Sequence, residues 1–323
     1  MNSTQRASSY VKNVAARVDR RVAQRYIDVE LRQLRSLQRA YRGSDGPELL
    51  MFGESNMSWT LLEETDRRHV AEMIRDELGA EVRLEGLVGP GYNPRIIMAF
   101  LAALPAGGSQ PKVVIVPMSV LMATSTWLAH PKLGYELAAK ELRALIEAGD
   151  TRPRRLAQPT DAAWDAYDHR PAPSLIGARR TLGELRLITS ATPSTRWQQV
   201  VRLRHLMDYY NAERLEPDSP GVTLVADMAT MLKAQGLHSV AYVPPINLEV
   251  TDKVLGAESH QHIVRNAELL ATSYRDAVGD FGTVVNAVAE CPGSDFADPL
   301  HLLEGGRRRL AGSIADAIRP YLK

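Results

Sequence analysis

The chain has 323 residues, 45% hydrophobic and 24% charged, with a formal net charge of +1. That balance fits a globular protein long enough to bury its core without cross-links, and it carries no global signal for nucleic acid. A single cysteine, Cys291, excludes an internal disulfide, and no apolar run approaches the roughly 20 residues that span a bilayer, so no transmembrane segment is expected.

The polar, basic N-terminus lacks the apolar core of a secretory signal, and a cytoplasmic protein is expected. Residues 1–42 hold ten Lys/Arg against three Asp/Glu, a local +7 that leaves −6 for the remainder. Apolar residues at Val11, Val14, Val18, Val22, Leu31, Leu34 and Tyr41 follow helical spacing with a basic opposite face. This arm (residues 1–46) reads as a helix packed on the domain or on a second subunit. Docking of an acidic partner, such as an acyl carrier protein, and binding to an anionic membrane surface are the other readings.

After RGSDGP the pattern alternates between strand and helix. ELLMF (48–52) is a strand, and WTLLEETDRRHVAEMIRDEL (59–78) is a helix with Val70, Met73, Ile74 and Leu78 on one face. VRLEGLV (82–88) is a strand, RIIMAFLAAL (95–104) a helix, and KVVIVPMSV (112–120) an unbroken apolar strand of the kind a parallel sheet buries on both faces. Residues 121–235 break the alternation and read as a largely helical insertion or cap over the strand ends. Within it, 150–174, rich in Pro and Asp, reads as a long loop. Strand HSVAYVPPI, a helix through residue 278, strand GTVVNAV and a last helix from residue 308 complete the chain. The expected fold is α/β: a three-layer α/β/α domain from 47–120 and 236–323 with a mostly parallel sheet, plus the insertion and the N-terminal arm.

In open parallel sheets ligands bind at the carboxyl ends of the strands. Ser55, in Gly53-Glu54-Ser55-Asn56, stands just past such an end. A serine hydroxyl there is a poor nucleophile without a base, and alone it reads as a helix cap. Near the other end, Asp298 precedes His301 by three residues, just ahead of the last helix. A D-x-x-H turn lets the carboxylate fix the imidazole tautomer, which leaves the second ring nitrogen for a nucleophile. Alone, that turn reads as a capping Asp and a surface His.

Together these blocks resemble the SGNH (GDSL-like) hydrolase superfamily, in which the nucleophile sits in a Gly-Asp-Ser turn after the first strand and Asp and His share a D-x-x-H turn. The resemblance implies an SGNH/flavodoxin-like fold and an acyl-serine mechanism with Ser55, Asp298 and His301 as the triad. It also implies an oxyanion amide from Gly91 in GPGYNP, with Gly89 as the fallback. Its substrates would be small-molecule or glycan acyl esters, with hydrolysis or O-acyl transfer as the outcome. Two positions depart from the family pattern. Glu54 replaces the Asp before the serine, a position that does not supply the base. The Asn of the third block, an oxyanion donor, is absent, and Ser119 stands nearest to it with a shorter reach. That gap keeps a non-catalytic SGNH-like scaffold as the alternative. PPIN (244–247) is similar to the divergent branch that includes proteins of teichoic-acid D-alanylation.

No cofactor is expected. His260-x-His262 lacks a third ligand at recognisable spacing and reads as a solvated loop, so no metal is expected either. Cys291 reads as a buried, inert thiol, and Trp127, His130 and Tyr135 as pocket lining or ordinary packing. The sequence leaves the oligomeric state open, a homo-oligomer included.

Overall fold

The computed structural model describes residues 30–105, 108–149, 156–175, 177, 179–190 and 195–322. The basic N-terminal segment up to residue 29 lies outside the described residues, and with it most of the expected arm. The part within them is a helix over 30–40 (α1) that buries Leu31, Leu34 and Leu37, with Tyr41 closing its end.

The sheet has five parallel strands: β1 (Leu49–Gly53), β2 (Leu84–Val88), β3 (Val113–Pro117), β4 (His238–Val243) and β5 (Gly282–Asn286). Their spatial order is β2-β1-β3-β4-β5, so the chain switches direction of travel between β1 and β3. The apolar runs became strands because both faces are covered, and the period of two is visible in the packing. Leu50, Phe52, Val114, Val116, Ala241 and Val243 join one core; Leu49, Met51, Val113, Ile115, Val240 and Tyr242 join the other.

The first core is closed by α1, α4 (Pro94–Leu101), α6 (Glu136–Glu147), α10 (Pro220–Ala234) and α12 (Ala257–Val278). The second is closed by α3 (Val70–Leu78) and α13 (Glu304–Ile318). The expected α/β/α layering with a parallel sheet is what the structure has.

Several element boundaries differ from expectation. The helix expected over 59–78 begins only at Val70, as α3, and residues 59–69 are irregular; a separate single turn, α2 (Ser55–Ser58), precedes them. The helix starts at residue 70, where the Glu72 carboxylate accepts from the His69 backbone amide at 2.8 Å. The expected loop at 150–174 contains α7 (Asp161–Asp168), started by the Thr160 side chain, which accepts from the Ala163 amide. His260 and His262 lie within α12, not on a loop.

The segment 121–235 is helical. After a 3-10 turn at Leu121–Ala123 come α5 (Ser125–Leu128), α6, α7, α8 (Leu182–Ser190), α9 (Arg196–Asn211) and α10. Its last helix belongs to the central layers: Val222, Val225, Met228, Ala229 and Leu232 are all buried in the first core. A parallel pair such as β3 and β4 needs a crossover helix, and α10 supplies it.

Candidate active site

β1 runs fully buried to Gly53, where close packing favours glycine: a Cβ there would stand 3.2 Å from both Met57 and Val88. Glu54 is extended and α2 begins at Ser55. One turn later Trp59 leaves the helix and brings its ring to 5.0 Å from that of His301. So short a helix has little macrodipole, and any oxyanion at Ser55 depends on nearby N–H and O–H groups.

The D-x-x-H segment folds on itself. Asp298 Oδ1 accepts from the backbone amides of Leu300 and His301, both at 2.8 Å, while Oδ2 lies 2.6 Å from His301 Nδ1. Burial pushes this carboxyl up, but the His301 ring, the two amides and the charge of an imidazolium outweigh it and hold it below the usual range. A carboxylate can only accept, so Nδ1 carries the proton and Nε2 is left free.

The turn is anchored from two sides. The Asn247 amide donates to Pro299 O at 3.0 Å, and Asn247 also caps α11 (Leu248–Leu255), so PPIN braces the turn. On the other side the buried Arg307 of α13 donates to the Leu302 carbonyl at 3.1 Å. It also holds both oxygens of Glu64 at 3.1 Å and the Asp66 carbonyl at 2.7 Å.

The GPGYNP loop separates its two glycines by role. A Cβ at Gly89 would overlap the Tyr92 ring at 2.1 Å, which is a packing requirement. Gly91 has φ +63°, the left-handed region that favours glycine, and a Cβ there would press on Met122 Sδ at 3.0 Å and on Trp127 at 3.1 Å. The Tyr135 hydroxyl fixes the loop by donating to Pro90 O at 2.6 Å.

A cavity of about 160 Å³ opens at the carboxyl ends of the strands. Segments that follow all five strands reach it. Glu54 and Ser55 follow β1, Pro90 and Gly91 follow β2, and Ser119 follows β3. Pro244, Pro245 and Ile246 follow β4, while Leu300 and His301 come from the segment after β5. The segment 121–235 adds Leu121, Met122, Trp127, Leu133 and Asn211. Ser55, Gly91, Ser119 and His301 thus share one cavity, with Asp298 bonded behind His301. Gly89 is not among the lining residues.

Glu54, set aside in the sequence, is inside this site. It is 4% exposed, and burial pushes its carboxyl up to about 7. Opposing that shift are a hydrogen bond from Asn56 Nδ2 at 3.3 Å, the nearby His301 and the nearby Ser119 hydroxyl. Asn56 is itself buried, and its Oδ1 has no partner.

Among the other candidates, Trp127 lines the cavity. His130 does not: its Nδ1 accepts from the Lys132 and Leu133 amides, and its ring packs on Trp164 and Tyr167. Cys291 lies outside the cavity, half-buried, with its thiol pushed up to about 12 by burial and the neighbouring Asp295 and Glu290. His260 pairs with Asp252 at 3.1 Å, and His262 bonds the Glu213 carbonyl at 3.0 Å. Among the described residues no group of three or more His, Cys, Asp or Glu is placed to hold a metal ion, and no helix is long and apolar enough to cross a membrane.

Sequence reasoning missed Glu54 and Arg307. A family position occupied by a different acid gave no hint that the side chain turns inward. Nothing in the run Arg307-Arg308-Arg309 marks its first member as the one that is fully buried.

No family model matches the chain, and no curated protein does. Among solved structures it is similar to a catalytic mutant of the acetylxylan esterase Axe2 from Geobacillus stearothermophilus: 10% identity, TM-score 0.41, covering 86% of this chain and 95% of that one. It is also similar to a lipase/acylhydrolase from Enterococcus faecalis, at 12% identity and TM-score 0.40, covering 85% and 96% of the two chains. A third is an inhibitor-bound aryl esterase from M. smegmatis, at 10% identity and TM-score 0.38, covering 85% and 100%.

Proposed function

We propose that the chain is a serine-dependent acyl-ester hydrolase or O-acyltransferase of the SGNH type. The observation that carries this reading is the hydrogen-bonded Asp298–His301 pair opening onto the cavity that Ser55 also lines. A serine sharing a cavity with an imidazole that has a carboxylate behind it supports acyl transfer, which needs those three groups.

The chemistry follows. Ser55 Oγ attacks the acyl carbon as His301 Nε2 takes its proton, and the carbonyl oxygen becomes an oxyanion. The Ser55 and Gly91 amides, with the Ser119 hydroxyl, donate to that oxyanion. Collapse expels the alcohol, which recovers the proton from His301, and leaves an acyl ester on Ser55. A second hydroxyl then gives its proton to His301 and attacks the ester, and Ser55 leaves with that proton. Water as the second hydroxyl makes an esterase; a sugar or other alcohol makes an acyltransferase.

Labelling with a fluorophosphonate, read by intact mass, tests the reading. One adduct on wild type, none on Ser55→Ala and none on His301→Ala is the expected result. Hydrolysis of short acyl esters should fall by about 10⁶-fold in either variant and by less in Asp298→Asn. Equal hydrolysis by wild type and Ser55→Ala would remove the mechanism. A wild type that is neither labelled nor active would favour a binding scaffold.

A further inference from the structure

We infer that the site takes short, uncharged acyl groups, and that Met122 and Trp127, from the segment after β3, set the length limit. The inference rests on the acyl-serine reading above.

The cavity holds about 160 Å³. An apolar cavity of about 150 Å³ accommodates benzene, so this one has room for an acyl group of about six non-hydrogen atoms. Its walls are largely apolar, with Met122, Trp127, Leu133, Ile246 and Leu300 among them, and no lysine or arginine lines it. The acid and base that do are Glu54 and His301. An acyl group bearing its own carboxylate would meet no fixed positive charge there and would stand beside Glu54, so its desolvation would go uncompensated.

Met122 and Trp127 stand where the length of the chain is decided. Both press on Gly91: a Cβ there would lie 3.0 Å from Met122 Sδ and 3.1 Å from Trp127 Cζ2. An acyl group whose oxygen is held by the Gly91 amide therefore lies alongside these two side chains. The wall they form is tied to the core. Glu213 holds the first turn of α5 through both carboxylate oxygens: Oε1 accepts from the Ser125 amide, and Oε2 accepts from the Thr126 amide at 3.1 Å and the Thr126 hydroxyl at 3.0 Å. The Thr124 hydroxyl accepts from the Trp127 amide at 3.2 Å. The Glu213 carbonyl in turn accepts from Asn266 Nδ2 at 2.9 Å and lies 3.0 Å from His262 Nε2, both on α12. A longer chain thus meets a wall whose backbone is fixed to a helix of the first core.

The test is kcat/KM across acyl esters of one alcohol, from acetyl to octanoyl, for wild type, Trp127→Ala and Met122→Ala. Thermal melts and fluorophosphonate labelling of Ser55 establish that each protein is folded and reactive. One surplus methylene in a closed pocket is worth about tenfold or more, so wild type should use the octanoyl ester about 100-fold less well than the butyryl ester, or worse. Each alanine variant enlarges the pocket and should raise the octanoyl-to-butyryl ratio by about tenfold or more. A merely structural loss would lower both esters together and leave that ratio unmoved. A malonyl half-ester should be used about 100-fold less well than the pentanoyl ester, which has as many non-hydrogen atoms, after correction for their spontaneous hydrolysis. If Ser55 labels but no ester turns over, labelling rates with butyl and octyl fluorophosphonates read the same length ratio. Comparable use of octanoyl and butyryl chains by wild type, a ratio within about threefold of wild type in either folded variant, or equal use of the malonyl and pentanoyl esters would overturn the inference while leaving the acyl-serine reading intact. Should Trp127→Ala not fold, Met122→Ala alone decides. A wild type that is neither labelled nor active on any ester overturns the acyl-serine reading and this inference with it.

Discussion

Arg307→Lys isolates what the buried guanidinium does. Arg307 is 0% exposed and serves acceptors in several directions. These are both Glu64 oxygens, the Leu302 and Asp66 carbonyls, and the Arg68 carbonyl at 3.2 Å from Nε. Lysine keeps the charge but concentrates three donors on one atom, where arginine spreads five over a planar fork. Its three donors must serve Glu64 and four carbonyls, that of Trp59 at 3.4 Å included, so at least two of those carbonyls are left without donors. Each costs about 1–3 kcal/mol, so the variant should lose about 2–6 kcal/mol. At roughly 2–4 °C per kcal/mol for a large domain, the midpoint of thermal unfolding should fall on the order of 10 °C. Arg307→Met, which strands the Glu64 charge as well, should lose at least as much. Differential scanning calorimetry at pH 7 reads both. An Arg307→Lys melt within 2 °C of wild type would refute the reasoning, because it would mean that these carbonyls find water or relax at no cost.

Two further outcomes follow from local geometry. Gly91→Ala should cost about 1–2 kcal/mol for a side chain in the left-handed region, and the contact with Met122 and Trp127 should narrow the cavity; reduced labelling of Ser55 with only a modest drop in melting temperature is the expected pair of readings. Glu54 makes stability depend on pH in an unusual direction. Its folded-state carboxyl titrates near 7 against 4.5 for an ordinary glutamate, so the folded chain holds a proton that the unfolded chain has released. Stability should therefore fall as pH rises from about 4.5 to 7, by about 3 kcal/mol in all. Urea unfolding of wild type and Glu54→Gln at pH 5 and pH 8 measures this, and the wild-type excess loss should be absent from the variant.

How much of this was legible in the sequence depends on how local the signal is. The strands were readable because double burial demands continuous apolar runs, as in Val113–Pro117. The Asp298–His301 pairing was readable because three residues of spacing suffice to form it. The end of the helix after Ser55 was not, because it depends on Trp59 leaving to meet His301 across the chain. α7 was hidden by the Pro-rich sequence around it, although Thr160 carries an ordinary cap. The interior placement of Arg307 and Glu54 was unreadable because both are polar residues buried by partners distant in the chain. Burial of such groups is decided by whether those partners arrive, and no periodicity records it.

The anchoring of the site by α13 also has a consequence for synthesis. Glu64 and Arg307 are 243 residues apart. At roughly 5–20 residues per second, a ribosome that has made Glu64 takes about 12–50 s to reach Arg307. Throughout that interval the segment following Ser55 exists without the cation that will gather its carbonyls, and without the imidazole. The Asp298–His301 turn, by contrast, can close as soon as it emerges, because its bonds span three residues. A nascent chain therefore carries Ser55 long before it carries His301, and the cavity that the two share is completed only when the last helix docks against α3.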